Sequence, residues 1–477
     1  MKNYLIITAI TLMTMISCTK DISRFNEEKK LPAVVPAETL FSNGLVNLTT
    51  ALATPNVNLN VFRFTVQHWA ATTYQDEPNY DFFTRNIPQA WWTRMYRDVL
   101  SDLKESKKII TATEPGVVSE ATLKNQAAIV DLMEVYVYSI LVNTFGDVPY
   151  SESNDFNNLF PAYDDAKEIY DDLFVRIDNS IASLSTEGEG FSAKADLIYK
   201  GDVSSWIKFA NTLKMRLAMT VADVDDTAKQ KFEEAEENGF TSSADNAAFQ
   251  FLSASPNTNP IWVDLVQSGR ADMVAGKPLL DKMVELNDPR LEAFFDPNND
   301  GKYVGGIIGE NNAYATVARP SELIKDPALP HLLLDYVEAE FLRAEAAARG
   351  WDVAGTAAEH YANAIRASII YWGGTEAEAT AYLAQPSVAY ASAPGEWKAK
   401  IGLQKWIALH NRPYIGWVEL RRLDFPLLSP PAEPESGFPN RLTYPINEQT
   451  LNPDSYASAS SAIGGDEVET KLFWDIY

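Results

Sequence analysis

The stretch HLLLDYVEAEFLRAEAAARGWDVAGTAAEHYANAIRASI, residues 331–369, decides the fold. Leu334, Val337, Phe341 and Ala344 recur at helical spacing, and acids fill the opposite side. Gly350 ends that helix as a C-cap glycine does, and a Gly-Trp turn follows. A second helix then sets Tyr361, Ala364, Ile365 and Ile369 on one face.

Two short helices joined by a tight turn, with a small-residue face on the first, match the tetratricopeptide style of hairpin. A weaker copy stands at residues 164–184, DDAKEIYDDLFVRIDNSIASL, and spacing between copies is irregular. Residues 127–145, AAIVDLMEVYVYSILVNTF, are apolar almost all round and predict a buried helix. Residues 240–320 and 425–465 are rich in Asn, Pro, Gly and Ser and read as long loops, with a short strand expected near Lys302–Ile308. Loops of such length in a compact protein are usually functional. The fold class is therefore mainly all-α: helical hairpins decorated by irregular loops and a few short strands.

The chain has 477 residues, 46% of them hydrophobic, so a large core is expected. Its formal net charge is −25, from 65 acids and 40 bases. That surface repels phosphate backbones and anionic headgroups, which argues against nucleic acid as a partner. At the N-terminus, Lys2 precedes the apolar residues 4–16, a run with the length of a signal h-region rather than of a membrane span. MISC then ends at Cys18, the chain's one cysteine. The reading is a lipoprotein signal at 1–17, a lipid-bearing Cys18 heading a polar tether at 18–37, and a single body at 38–477.

Catalytic patterns are thin. His68, His331, His360 and His410 are scattered, with no metal spacing and no HExxH. GGIIGENN carries glycines without a P-loop lysine, and GxSxG does not occur. DPNNDG at 296–301 copies the start of a calcium loop but has Ile307 where the closing glutamate would stand, and reads as a turn. No metal and no cofactor are expected.

TTYQDEPNYDFFTRNIPQAWW, residues 72–92, mixes rings with amides, acids and an arginine. Pro88 should open a helix with Trp92, Tyr96, Val99 and Leu103 on its core face. Trp91, offset by about 100°, falls with Arg94, Asp98 and Asp102 on the polar face. A sugar needs this mixture: C–H faces pack on rings, and hydroxyls are met by acids, amides and Arg. Trp91, Tyr74, Asp76, Asn79, Tyr80 and Arg85 are therefore candidate ligand contacts. Trp262 and Tyr314, in the long middle loops, join them. Phe82 and Phe83 lack a polar handle and are expected in the core, as is Trp69; Trp351, Trp397, Trp406 and Trp417 are expected in the scaffold.

Cys18 with its tether, VNTFGDVPYSES (142–153), LNDPRLEAFF (286–295) with GKYVGG (301–306), AEFLRAEAAARGW (339–351) and QKWIALHNRPYIGWVELRRLDFP (404–426) resemble, in that order, the SusD/RagB family. The resemblance implies a nutrient-binding lipoprotein of the bacterial outer-membrane surface. It implies an oligosaccharide or polysaccharide ligand, or a peptide in some members, passed to a SusC-like TonB-dependent transporter without chemistry. A surface glycoside hydrolase on an all-α fold, or a purely structural transporter subunit, are the readings it competes with.

Overall fold

The structure is a computed structural model that describes residues 35–155 and 157–477. The signal at 1–17, Cys18 and nearly all of the tether lie outside the described residues. Ala37–Tyr477 forms one compact unit.

In chain order the longer helices are α1 (Ala37–Ala53), α2 (Ile87–Thr93), α3 (Ser101–Thr111), α4 (Glu120–Phe145), α5 (Ala166–Ser183), α6 (Val203–Thr220), α7 (Ala228–Glu236), α8 (Lys277–Glu285), α9 (Tyr336–Ala348), α10 (Ala357–Tyr371), α11 (Glu376–Leu383), α12 (Trp397–Ala408), α13 (Pro413–Leu423) and α14 (Pro453–Ala462). A π-helical stretch, Arg94–Leu100, joins α2 to α3 without a break. Three two-stranded antiparallel sheets tie the loops to this scaffold. They pair β1 (Trp69–Ala71) with β3 (Met273–Ala275), β2 (Ala247–Phe249) with β6 (His331–Leu334), and β4 (Phe295–Asp296) with β5 (Arg319–Pro320).

The helices pack as hairpins, α4 on α5, α6 on α7, α9 on α10 and α12 on α13. Local chemistry sets their ends. Asp335 caps α9 by accepting from Glu338 N, and Thr356 with Glu359 forms a capping box on α10. Gly350, at φ +76°, ends α9. Arg63 donates to the carbonyls of Ala53 and Thr54 and so closes the C-terminus of α1 with a positive charge. Helix α4 is long and apolar enough to cross a membrane, but its apolar window is wholly buried within the fold, so it serves as core.

The sequence reading of α9 needs correction. Leu334 precedes the helix and belongs to β6. The acids of α9 do not face water: Glu338, Glu340 and Glu345 are buried. Arg216 of α6 takes Glu338 through two bonds of 2.5 and 2.8 Å, and Arg412 shares the same carboxylate. Arg422 of α13 grips Glu345 in fork geometry at 2.5 and 2.6 Å. Arg343 and His360 meet Glu340 at 2.9 and 3.0 Å. Burial alone would raise the carboxyls of Glu338 and Glu345, but the guanidiniums outweigh it and hold both at about 2. Periodicity sees these residues as polar; apart from Arg343, their partners stand far off in sequence and are invisible to it.

Loop expectations also change: within 240–320, α8 (Lys277–Glu285) forms behind Gly276. Lys302–Ile308 makes only an isolated bridge, Gly306 to Gly276, not a strand. Within 425–465, α14 forms behind Pro453 and packs Tyr456 edge-on against Tyr444 at 6.0 Å.

Candidate functional site

The loop after β1 carries most of the predicted contacts. Its path is set by left-handed backbone at three residues other than glycine: Tyr74 (φ 61°), Tyr80 (φ 69°) and Asn86 (φ 51°). Such conformations cost on the order of 1 kcal/mol or more each and persist only where surrounding contacts impose them.

Those contacts divide the predicted residues into two groups. Asn79 and Tyr80 point inward. The Asn79 amide donates to Gly309 O at 3.0 Å, its carbonyl oxygen accepts from Glu433 N at 3.0 Å, and its main-chain carbonyl accepts from Glu435 N at 2.8 Å. Tyr80 is buried against Phe438 and accepts from Gln67. Both brace the loop against residues 429–438. Gly309 is required by this bracing: at φ +83°, a Cβ there would lie 2.1 Å from Asn79 Oδ1.

Tyr74, Asp76 and Arg85 form the outward group. Tyr74 is 44% exposed. The Arg85 guanidinium stands 4.9 Å from its ring centroid. Arg85 is in turn held by Asp76 at 3.5 Å and, more closely, by the fully buried Glu77. Burial pushes the Glu77 carboxyl up to about 7 against the pull of Arg85. A buried acid thus anchors an arginine, and the arginine backs an exposed ring.

A second ring–arginine pair, held without an acid, stands on the loop before β5. Tyr314 has the Arg319 guanidinium 5.3 Å from its ring, and Arg319 is fixed by Asn299 Oδ1 at 3.1 Å and Pro297 O at 3.0 Å. Tyr314 rests on a small apolar cluster of Ala70, Val274, Ile308 and Val317. Gln75 donates to Asn311 at 3.3 Å, and the Asn312 amide donates to Ala71 O at 2.9 Å. These bonds stitch the Tyr74 loop to the Tyr314 loop. A hollow of about 270 Å³ lies beside Tyr314, and Leu265 and Val266 help to line it. They belong to the helical turn that follows the half-buried Trp262.

Trp91 is not part of this surface. It is 0% exposed, edge-on to Phe62 at 5.1 Å and stacked on Tyr414 at 5.8 Å. The polar-face argument assumed that one side of α2 meets water. Instead the adjacent polar residues also face protein, with Arg94 donating to Asn47 of α1 at 3.0 Å. Phe83, expected in the core, is 54% exposed, because Asp81 accepts from the amides of Phe83 and Thr84 and turns the chain outward. Glu77, Asn311 and Arg319, which hold these loops, were not among the predicted contacts.

Other expectations fall as scaffold. Phe82, Trp69, Trp406 and Trp417 are buried, and Trp351 and Trp397 pack half-buried against the core. Within DPNNDG, Asn298 accepts from the amides of Asp300 and Lys302, as a tight turn does. Among the described residues no group of three or more His, Cys, Asp or Glu is placed to hold a metal.

Helical hairpins that present aromatic and polar side chains on stitched loops define the class, a mainly α tetratricopeptide-like scaffold. The chain belongs to the SusD-like family: the family model described as "Starch-binding associating with outer membrane" matches residues 29–445. Among solved structures, a chitin-binding protein is 26% identical with a TM-score of 0.81, covering 92% of this chain and 100% of its own. A chitin-binding SusD homolog from Flavobacterium johnsoniae is 24% identical with a TM-score of 0.78, covering 91% of this chain and 98% of its own. A SusD-like protein from Bacteroides thetaiotaomicron is 24% identical with a TM-score of 0.77, covering 93% and 99%. No curated protein sequence matches.

Proposed function

We propose that this protein binds a neutral oligosaccharide or polysaccharide on the Tyr74–Tyr314 surface and leaves it chemically intact. The supporting observation is the pair of tyrosines, each backed by an arginine, on loops stitched together by Gln75 and Asn312. A ring held this way, exposed in Tyr74 and half-buried in Tyr314, offers a flat, low-entropy face to the C–H side of a pyranose. Asp76, on the Tyr74 loop, and Asn311, on the Tyr314 loop, would take hydroxyls. Acceptors and donors of both kinds suit a neutral polyol, and a chain of net charge −25 does not favour an anionic one. Starch appears in the family's description, and two of the similar proteins are chitin-binding, so both polymers head the trial ligands.

On the same reading, acylation of Cys18 would anchor the protein at the outer-membrane surface, and a SusC-like TonB-dependent transporter would receive the glycan. The test is titration of the purified protein with soluble starch, chito-oligosaccharides and a peptide panel, with product analysis after long incubation. Saturable binding to a neutral glycan, weakened by Tyr74→Ala, is expected, with no new reducing ends. Binding to peptides alone, or glycan cleavage dependent on one acid, would overturn the proposal. Loss of membrane association in Cys18→Ala checks the anchor.

A further inference from the structure

A cleft of about 520 Å³ opens between α1 and the segment 249–264. Its volume falls in the range of small-molecule sites, which are mostly apolar with a few placed polar groups. Val46 of α1 forms part of one wall, and Phe249 and Phe251, edge-on at 5.0 Å, form another. Leu252 and Val263, 53% and 37% exposed, line its mouth.

Thr258 lines the same cleft. The residue is 5% exposed, and its hydroxyl has no hydrogen-bond partner among the described residues. A buried hydroxyl without a partner is costly, so such groups in proteins normally have one. The segment that carries it is rigidly mounted. Asn259 donates through its main chain to Pro327 O at 2.7 Å and through its side chain to Leu329 O at 2.8 Å. Leu252 N donates to Asn257 O at 2.7 Å. The cleft wall is therefore preformed, and it carries a buried hydroxyl that no group among the described residues bonds.

The geometry points to a second binding site here, for an uncharged small molecule with an apolar body and one carbonyl-type acceptor. The body would lie along Phe249, Phe251 and Val46, and the acceptor would take the Thr258 hydroxyl. Lys200 and Asp264, of opposite charge, both border the cleft, which favours no net charge on the occupant.

The neutral dye prodan, a naphthalene bearing a ketone, is the probe. Titrated into the purified protein, it should bind at one saturable site with blue-shifted emission. Leu252→Asp, at an exposed position, and the double variant with Val263→Asp should weaken binding about tenfold or more by placing charge at an apolar mouth. Thr258→Val should weaken it about threefold to tenfold and shift the bound emission further to the blue, as the ketone loses its donor; Thr258→Ser should not. Tyr74→Ala should leave dye binding unchanged, and Leu252→Asp should leave glycan binding unchanged, with melting temperature checked for each variant. Unsaturable binding, dye binding indifferent to Leu252→Asp, or bound emission indifferent to Thr258→Val would each overturn the assignment. So would loss of glycan binding in Leu252→Asp, since the cleft would then be part of the first site.

Discussion

Trp91 and Trp92 are consecutive residues that enter different aromatic clusters: Trp91 stacks on Tyr414 at 5.8 Å, and Trp92 meets Phe145 edge-on at 5.0 Å. The helix that bears them is enclosed on both of these sides. Each tryptophan replaced by alanine should therefore cost about 3–5 kcal/mol of stability. Urea unfolding measures this. A Trp91→Ala protein as stable as wild type would contradict its place in the core.

Tyr74→Ala should behave differently. The ring is part-exposed, so the loss of stability should stay below about 1 kcal/mol. Glycan affinity should fall by about 1–3 kcal/mol, the range measured for stacking on comparable flat ligands. Calorimetric titration against the best glycan of the panel gives the number, and unchanged affinity would remove Tyr74 from the site.

Glu345→Gln should be among the most damaging single polar changes. It leaves the buried Arg422 with Glu419 at 2.6 Å as its remaining acid. Breaking a buried pair from one side costs about 3–5 kcal/mol. Glu345→Gln combined with Arg422→Met should recover part of that loss, because Arg422 is then gone and Arg349, the other cation on Glu345, keeps Asp223 at 2.7 Å. A double variant no better than the single one would argue against charge as the cause.

His331 sits fully buried in β6, and burial, with Arg412 and Arg63 nearby, lowers its pKa from 6.5 to about 3. Below pH 6.5 the unfolded chain takes a proton that the folded chain refuses. Stability contributed by this residue is thus present above 6.5 and lost as pH falls toward 3. The slope is about 1.4 kcal/mol per pH unit. His68, also lowered to about 3, and His410 act in the same direction. His360, raised by Glu340, acts in the opposite one. His331→Leu should flatten the stability–pH curve between about 6 and 4 by that slope relative to wild type. Parallel curves from urea midpoints would refute it.

What the sequence disclosed depended on the range of the interaction. The α9–α10 hairpin, its Gly350 stop and the buried α4 rest on contacts within a few turns, and periodicity reads those. The acids of α9 rest on Arg216, Arg412 and Arg422, remote in the chain, and were misassigned to a polar side. The same limit explains Trp91: one helix's pattern cannot tell how many neighbours will cover it. Tyr74 and Arg85 lie within one loop and were both nominated from it, whereas their anchor Glu77 looked like any other acid in an acidic chain. Tyr314 was nominated without its partner Arg319, because only the β4–β5 turn brings Asn299 and Pro297 to hold that arginine.

The clasp made by Asn79 closes on main-chain atoms alone: Gly309 O, Glu433 N and Glu435 N. The Asn312 amide likewise holds Ala71 O, Ile307 O and Glu310 O. Gly309 must lack a side chain, and those of the other clasped residues take no part in these bonds. A lineage could therefore rewrite the residues that greet the ligand while the fastening stays as it is, and two descendants of one frame could come to hold different cargo.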